Sequence, residues 1–380
     1  MVVNVLASAF LLYLSLPNLI NLFGFWPLGW LFVIPLFMAL ERNNFTDRLK
    51  SGLIFGLTAF ALILNWLIPL NVLGYFALVL IFGLQPVLFC LLYKTVSHLD
   101  SIRPNITLAH IADVLFVPAL WVSIEFLRSI CLGGFSWTIG YSQSFFPTGI
   151  QIAQVFGSYG ISFVLILFNY CLYRIFRDYS RKYFYGAIAA VTVSFICIFG
   201  YSSMVDTRGQ DANKKAYQIC AIQPNIPTKV KWDDQLLDQV VDEHIQLTLQ
   251  CLIDKQPDLV VWPETAIPDD FIKDRAMRAK VTQIARKVKT NLLLGAALLE
   301  NDRYYNSAVL LDGRGDVRDI YREKYLIPFS EYLPWSHNLE FNYLVFGNSQ
   351  QFFSCFNRRI GWRRNCSSRI KSSSLAYSLE

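Results

Sequence analysis

Long apolar runs in the first 205 residues constrain the fold of this chain more than any other feature. The chain has 380 residues, of which 54% are hydrophobic and only 16% charged, a charge content too low for an ordinary soluble protein. Residues 206–340, in contrast, have the mixed charge of a globular domain. Because a bilayer core about 30 Å thick needs about 20 apolar residues per helix, the sequence predicts a polytopic helical membrane bundle followed by a separate domain.

Seven segments of the first part are candidate membrane spans. The first segment lacks a basic start and a small-residue cleavage site, which argues against a cleaved signal peptide. Gly24 separates the first two segments, and an alternative is that these two form a re-entrant pair. The predicted spans are 4–23, 25–41, 52–72, 74–94, 112–131, 150–173 and 184–203.

The basic residues between these spans predict the orientation of the bundle. Lys and Arg cluster after the second, fourth and sixth segments and are nearly missing from the other loops. By the positive-inside rule the basic loops are cytoplasmic, so seven crossings bring residues 206 onward to the opposite face. In a bacterium with two membranes, this predicts a multi-pass inner-membrane protein with its second domain in the periplasm. The basic residues are Arg42, Arg48, Lys50, Lys94, Arg103, Arg174, Arg177, Arg181 and Lys182.

Two charged residues lie inside the fifth predicted span. Glu125 and Arg128 occur three residues apart in "ALWVSIEFLRS", a spacing that favours a self-neutralising pair on one helix face. The alternative is contact with a lipid headgroup at the outer leaflet. The aromatic and polar residues that follow, in "GGFSWTIGYSQ", are typical of a membrane–water interface.

Strands and helices alternate in the second part of the chain. Short apolar runs ending at turns predict strands, and apolar residues at helical spacing predict helices. A Gly-containing turn at Asp312–Gly315 is expected to join the last two strands. This order indicates an α/β layer fold. The segment 216–227 is predicted to start as a strand and to turn at Pro224-Asn225. The other predicted strands are 259–262, 291–300 and the two flanking the Gly-containing turn, and the predicted helices are 233–255 and 270–288.

The stretch "LVVWPETAIP" (259–268) contains the main candidate for a catalytic group. Glu264 follows a buried strand directly and lies between Pro263 and Pro268, which restrict the backbone. A carboxylate at the C-terminal end of a strand is well placed to take a proton from a nucleophile, and desolvation would raise its pKa toward neutrality. The alternative is an ordinary turn or N-cap carboxylate.

Cysteine and histidine spacing gives no sign of a metal site. The eight cysteines include no CxxC pair, and the four histidines are widely dispersed, so neither a zinc site nor a disulfide framework is indicated. The net charge of +6 partly reflects a basic C-terminal tail. We therefore expect no metal, no cofactor and no nucleic-acid partner, and we expect a monomer.

Four ordered motifs of the second part resemble the apolipoprotein N-acyltransferase family. They are "QPNIPTKVKW" (223–232), "LVVWPETAIP", "YYNSAVLL" (304–311) and "YREKYLIPFSEYLP" (321–334), and "EFLRSICLGGFSWTIGYSQ" (125–143) resembles the membrane half. The resemblance covers about residues 5–335. It implies an inner-membrane enzyme with a nitrilase-like α-β-β-α domain on a membrane bundle.

The resemblance also implies a Glu–Lys–Cys site that transfers an acyl chain in two steps. A Cys takes the chain from a phospholipid as a thioester and passes it to the amino group of diacylglyceryl-cysteine at an apolipoprotein N-terminus. Glu264 would be the general base, and Glu331 would support the Lys that stabilises the oxyanion. Trp232 would lie near the acyl chain, although a packing role for this Trp is an equal alternative.

The match fails at the lysine of this site. The family has Tyr-x-Lys-x-x-Leu-x-Pro-Phe, whereas here Glu323 occupies the Lys position and Lys324 comes one residue later. In a strand, a shift of one residue turns the side chain to the opposite face. Lys324 remains the predicted oxyanion cation, provided that the backbone bulges, and Glu323 is expected to repel the intermediate.

The nucleophilic Cys of the family has no counterpart that we identify. It should end an apolar strand and precede Tyr-Glu, but Cys355 lies in "FFSCFNRR" and Cys366 in "RRNCSSR". We favour a reading-frame shift near 352–357 that ends the homologous protein early, and the alternative is a genuine basic tail. The expected organisation is a bundle at 1–205, a partial nitrilase-like domain at 206–351, and a Ser/Arg-rich tail at 352–380.

The predicted function is therefore transfer of a phospholipid acyl chain to apolipoproteins, with this chain defective. A second hypothesis is a membrane protein that binds lipid or lipoprotein without turnover. A third is a membrane-tethered amidase of the nitrilase type. The seven predicted spans argue against the third, because a soluble amide needs no lipid-lined bundle.

Overall fold

The computed structural model describes residues 1–41, 44–69, 72–97, 106–132, 137–178, 217–233, 235–253, 256–300 and 303–324. These residues form two compact units, a helical one up to residue 178 and an α/β one from residue 217. The predicted span 184–203, Glu331, Cys355, Cys366 and the tail at 352–380 lie outside the described residues.

The first unit consists of helices and 3-10 turns. The 3-10 turns are Trp26–Trp30, Asn65–Leu67 and Ile139–Gln143. The helices are α1 (Val2–Ser15), α2 (Ile34–Leu40), α3 (Phe45–Ile63), α4 (Val72–Ser97), α5 (Ile106–Cys131), α6 (Pro147–Ile150) and α7 (Ala153–Asp178).

Three of these helices are long and apolar enough to cross a membrane. Within the described residues, the segments that meet this requirement are Val72–Thr95 of α4, Val114–Cys131 of α5 and Ala153–Arg177 of α7. The prediction of continuous helices over 4–23 and 25–41 is wrong. Helix α1 ends at Ser15 because Pro17 cannot continue it and the side chain of Asn18 accepts hydrogen bonds from the next turn. The predicted break at Gly24 is confirmed, since Gly24 has a φ of 67°.

Helices α3 and α4 touch through their backbones. A Cβ atom on Gly52 would lie 2.6 Å from the Cα of Val87, and one on Gly56 would lie 2.5 Å from the carbonyl oxygen of Gly83. Both distances are far below van der Waals contact. Glycine is therefore required at these two positions for the observed crossing.

The second unit is built on a five-stranded sheet with the order β1-β2-β3-β4-β5. Strands β1, β2 and β3 are parallel, and β3, β4 and β5 are antiparallel. The strands are β1 (Ile219–Ala221), β2 (Leu259–Val261), β3 (Asn291–Glu300), β4 (Arg303–Leu311) and β5 (Val317–Arg322), and the helices are α8 (Thr228–Lys231), α9 (Leu237–Cys251) and α10 (Arg275–Val288). This arrangement confirms the predicted α/β layer.

Short sequence patterns predicted the positions of several strands, turns and helices of this unit. The predicted strand 291–300 coincides with β3, and the turn at Asp312–Gly315 joins β4 to β5 with a φ of 80° at Gly315. Helix α10 begins at Arg275 instead of residue 270, because the Asp274 side chain caps it by accepting from the amides of Ala276 and Met277.

A disulfide that the cysteine spacing did not indicate joins Cys220 of β1 to Cys251 at the end of α9. The two residues are 31 positions apart in the sequence. The β1–α9–β2 crossover folds the helix back over the strand, so their proximity depends on tertiary structure and leaves no pattern in the spacing.

Candidate functional site

Glu264 lies in a turn that directly follows β2. The amide of Trp262 donates to the carbonyl oxygen of Leu293 at 2.8 Å, and that of Ile267 to Gly295 at 3.1 Å. Both ends of the turn are therefore anchored to β3. Between them, Thr265 adopts a left-handed conformation with a φ of 47°, a conformation uncommon for residues other than glycine.

Trp262 anchors this turn from the opposite side. Its indole is buried and its Nε1 donates to the hydroxyl of Thr248 on α9 at 2.9 Å. The ring of His244, one helical turn earlier, packs against the indole with a centroid distance of 5.1 Å. The backbone that carries Glu264 is thus held by a rigid aromatic group, while the carboxylate itself is exposed.

Asn306 of β4 joins Glu264 to a second carboxylate. Its side-chain amide nitrogen donates to Glu264 Oε1 at 2.7 Å and to Glu323 Oε2 at 2.6 Å. The backbone amide of Glu323 also donates to the carbonyl oxygen of Asn306 at 2.9 Å, which continues the β4–β5 pairing. Two acidic side chains therefore converge on one amide group.

The environment of Glu323 disfavours its charged form. Partial burial, followed by the negative charge of Glu264, raises the pKa of the Glu323 carboxyl above its ordinary value, and the hydrogen bond from Asn306 only partly opposes this. The carboxylates of Glu264 and Glu323, both bound to the Asn306 amide, would repel any further negative charge that develops beside them.

Lys231 places a cation at the Glu264 turn. Its Nζ donates to the backbone carbonyl oxygen of Glu264 at 2.8 Å from the end of α8. The lysine is half-buried, and desolvation lowers its pKa, although the charge of Glu264 acts in the opposite direction. An ammonium group held at this turn is placed to offset part of the local negative charge.

The predicted site residues are only partly brought together. Glu264 lies at the end of β2 as predicted, and it is exposed instead of buried. Trp232 is half-buried and follows Lys231 at the end of α8. Lys324 is exposed, and no hydrogen bond or ion pair joins it to Glu264 in the described part of the chain. Glu331 and the candidate cysteines lie outside the described residues.

Sequence reasoning did not single out Lys231 and Asn306. Each lies in a motif noted for its family resemblance, "QPNIPTKVKW" and "YYNSAVLL". Their polar side chains were the available signal, but a lysine in a short loop and an asparagine in a strand have many ordinary roles.

Glu125 and Arg128 form a buried polar network within the helical unit. Glu125 Oε1 accepts from Trp121 Nε1 at 3.1 Å and from the amide of Ile139 at 3.0 Å. The guanidinium of Arg128 donates to the side chain of Gln85 and to the carbonyl oxygen of Trp137, and lies over the ring of Phe82 at 4.4 Å from its centroid.

This network supports a structural role for the two charges. Both side chains are almost fully buried, with 1% and 7% of the residue exposed, so neither is open to a lipid headgroup. The described contacts also include no direct ion pair between Glu125 and Arg128. Instead, each charge fixes the segment that follows α5, through the backbone of Ile139 and of Trp137.

Apolar helices followed by an α/β unit, with a carboxylate at the end of the second strand, define a membrane-associated protein with a nitrilase-like unit. Two family models match in the same order, the "Apolipoprotein N-acyltransferase N-terminal domain" over residues 8–171 and "Carbon-nitrogen hydrolase" over residues 218–361. The chain belongs to the apolipoprotein N-acyltransferase family.

Curated relatives agree with this assignment. An apolipoprotein N-acyltransferase of Geobacter metallireducens is 30% identical over 90% of this chain and 66% of its own length. The apolipoprotein N-acyltransferase of Wigglesworthia glossinidia brevipalpis is 27% identical over 82% of this chain and 62% of its own length. That of Rhizobium rhizogenes is 31% identical over 72% of this chain and 51% of its own length. The chain thus spans between about half and two thirds of the length of these relatives.

Among solved structures, an N-terminal amidase matches 28% of this chain and 28% of its own chain. The TM-score is 0.23 and the sequence identity 17%, a similarity too limited to support a functional comparison.

Proposed function

We propose that this protein acts in lipoprotein maturation, as an N-acyltransferase that moves an acyl chain from a membrane phospholipid to the N-terminal amine of diacylglyceryl-cysteine in apolipoproteins. The observation that carries this proposal is the Glu264 turn, a fixed backbone presenting an open carboxylate in a chain of this family. Both substrates are anchored in a membrane, which accounts for a unit of apolar helices attached to the unit with the carboxylate.

Glu264 is the general base in this proposal. Its carboxylate takes the proton of a cysteine thiol, and the thiolate attacks the phospholipid ester. The acyl C–O bond breaks to give a thioester, and the lysophospholipid leaves as an alcohol that takes up the proton held by Glu264. The acceptor amine then attacks the thioester and regenerates the thiol. Glu331 supports the cation of the site, and Trp232 lies along the acyl chain.

Stabilisation of the oxyanion is the weak point of this chain. Glu323 presents a carboxylate to the same amide that holds Glu264, where a cation would be needed. Lys324 is the sequence-based candidate for that cation, and Lys231 is the ammonium group bonded to the turn itself. We propose that this chain does not transfer acyl groups because none of its cysteines matches the family nucleophile, and that Glu323 would slow the reaction further by adding negative charge where the oxyanion develops.

The direct test is expression of the chain in bacteria depleted of their own enzyme, with mass spectrometry of a lipoprotein N-terminus. We expect little or no triacylated product from the chain, because none of its cysteines matches the family nucleophile. In a version that carries the family's C-terminal part with its cysteine, Glu323→Lys should raise the rate at least tenfold, because one such group contributes about 10²–10³-fold in other enzymes. Lys231→Met and Lys324→Met, each added to Glu323→Lys, show which of the two lysines contributes to the rate. Full activity of the unaltered chain would refute the proposed defect.

Glu264→Gln provides the test of the base. In a variant that forms product, this change should lower the rate about 10²–10⁴-fold while the protein still reaches the membrane. Asp269→Asn is the matched control and should retain the rate, because Asp269 lies in the same loop but has no hydrogen bond to Glu264, Asn306 or Glu323 in the described part of the chain. A normal rate for Glu264→Gln would make Glu264 a turn residue only.

The α/β unit is proposed to face the periplasm from a multi-pass protein of the bacterial inner membrane. The distribution of Lys and Arg between the apolar segments supports this orientation. Alkaline phosphatase fused after residue 210 should be active, and fusions near residues 45 and 180 should be inactive. The opposite pattern would refute the orientation and the acyltransferase proposal together.

A second candidate function is binding of lipid or lipoprotein without turnover. The shared Asn306 amide favours it, because Glu323 adds a second carboxylate beside Glu264, where catalysis needs positive charge. Co-purification of diacylated lipoprotein with the chain, without any triacylated product even when the family's C-terminal part with its cysteine is supplied and Glu323 is replaced by Lys, would favour this function over acyl transfer.

A further inference from the structure

The disulfide of the α/β unit lies outside the site described above. It joins Cys220, the central residue of the short strand β1, to Cys251, the last residue of α9. The two Cα atoms are 6.8 Å apart, within the range that a disulfide spans. Cys220 is buried and Cys251 is half-buried, so the link lies between the strand and the helix that covers it.

The bonded cysteines secure a weakly held strand. Strand β1 has three residues, and among the described strands it pairs with β2 alone, at one end of the order β1-β2-β3-β4-β5. Three residues of parallel pairing contribute few hydrogen bonds, whereas the disulfide ties this strand to a helix of 15 residues. The same helix carries Thr248, whose hydroxyl accepts from Trp262, two residues before Glu264. The cross-link therefore acts on the helix that supports the Glu264 turn.

We propose that the Cys220–Cys251 disulfide is introduced outside the cytoplasm and fixes α9 against β1. The oxidant is a thiol–disulfide oxidoreductase of the oxidising compartment. One cysteine thiolate attacks the disulfide of the oxidant to give a mixed disulfide, and the second thiolate displaces the reduced oxidant as a dithiol. Two electrons pass to the oxidant, and the two cysteines lose their thiol protons.

This proposal rests on the periplasmic orientation in the proposed function, because disulfides persist in oxidising compartments and are rare in the cytosol. The described cysteines of the helical unit are thiols and form no disulfide. Cys90 and Cys171 are buried thiols, and Cys131 is an exposed thiol at the end of α5. Cys131 therefore provides a control within the same chain.

The first test identifies the bond in the full chain. Membranes are treated with N-ethylmaleimide and digested with trypsin without a reductant. Mass spectrometry should detect peptide 216–229 linked to peptide 232–255, and the linked species should separate on reduction. In cells without the thiol oxidant, its abundance should fall severalfold.

The phosphatase fusion after residue 210 is measured in the same strains to separate the outcomes. A periplasmic reporter with both cysteines alkylated would overturn the disulfide and leave the proposed function intact. A cytoplasmic reporter would instead overturn the orientation on which both proposals rest.

The second test measures whether the bond fixes α9. Purified chain is exposed to trypsin with or without prior reduction by a phosphine, and cleavage after Lys231 is timed. The bond closes a loop between residues 31 positions apart, which strongly restricts separation of α9 from β1. We therefore expect reduction to accelerate cleavage on the order of 10²-fold. A double variant, Cys220→Ser with Cys251→Ser, should match the reduced protein, and Cys131→Ser should match the oxidised one. If reduction of the folded protein leaves the cleavage rate unchanged, the bond does not fix the helix.

Discussion

Gly295 is the position where a single methyl group should disturb the candidate site most directly. This residue lies in the middle of β3, beneath the Glu264 turn. A Cβ atom there would lie 2.5 Å from the amide nitrogen of Thr265, 2.6 Å from the carbonyl oxygen of Pro263 and 2.7 Å from the Cα of Glu264. All three neighbours are backbone atoms, so they cannot avoid the methyl group by rotating a side chain.

The size of the effect follows from two opposing contributions. Alanine is favoured over glycine inside a strand by about 0.5–1 kcal/mol, because glycine loses more backbone freedom on folding. Against this, the turn must move by about 0.9 Å to bring the closest contact to 3.4 Å. Overpacking of this kind costs about 1–3 kcal/mol. We therefore expect Gly295→Ala to lower the free energy of unfolding by about 1–2 kcal/mol and to displace Glu264.

Thermal unfolding and hydrogen exchange of the purified chain would measure these effects. The amide of Ile267, which donates to the carbonyl oxygen of Gly295, should exchange faster in the variant. Ala308→Ser adds one atom at the half-exposed position directly opposite Gly295 and should change stability by less than about 0.5 kcal/mol. An unchanged or higher melting temperature for Gly295→Ala, with normal exchange at Ile267, would refute the reasoning.

Two further predictions concern buried or crowded charges. Since the folded pKa of Glu323 is raised, its contribution to stability is present below its unfolded pKa and is lost as pH rises through the folded value. Glu323→Gln should therefore stabilise the chain near pH 7, by less than about 1 kcal/mol for so exposed a group, and the gain should vanish near pH 4 in paired melting curves. Arg128→Met should destabilise the helical unit by about 2–6 kcal/mol, because Gln85 and the carbonyl oxygen of Trp137 lose their donor and each buried acceptor left unpaired costs about 1–3 kcal/mol. Glu125 also loses the opposite charge near it. In thermal unfolding in detergent, the double variant Arg128→Met with Glu125→Gln should lose less stability than the sum of the two single variants. If the two losses simply add, the residues are not coupled.

Local patterns of the sequence predicted much of the α/β unit. The apolar run before Pro263 placed β2 and the Glu264 turn, and Asp312–Gly315 marked the β4–β5 connection. Each of these features depends on a few consecutive residues. Helix α1 was predicted too long, because apolar composition alone does not show that Pro17 and Asn18 end it.

The remainder of the site depends on contacts between distant residues. Asn306 and Glu323 meet because Ser307 pairs with Arg322, a register that only the assembled sheet fixes. Lys231 reaches Glu264 across 33 positions of sequence. The Cys220–Cys251 bond likewise results from the crossover of α9. None of these pairs has a spacing that a sequence pattern would reveal.

The backbone contact between α3 and α4 has a consequence for assembly. Where Gly52 and Gly56 meet the facing helix, the attraction comes from close packing of main-chain atoms. In an apolar solvent such as a bilayer, water exclusion provides no drive for two apolar helices to associate, but close packing still does. The contact between α3 and α4 therefore does not depend on water exclusion, and it is made entirely by residues of the helical unit.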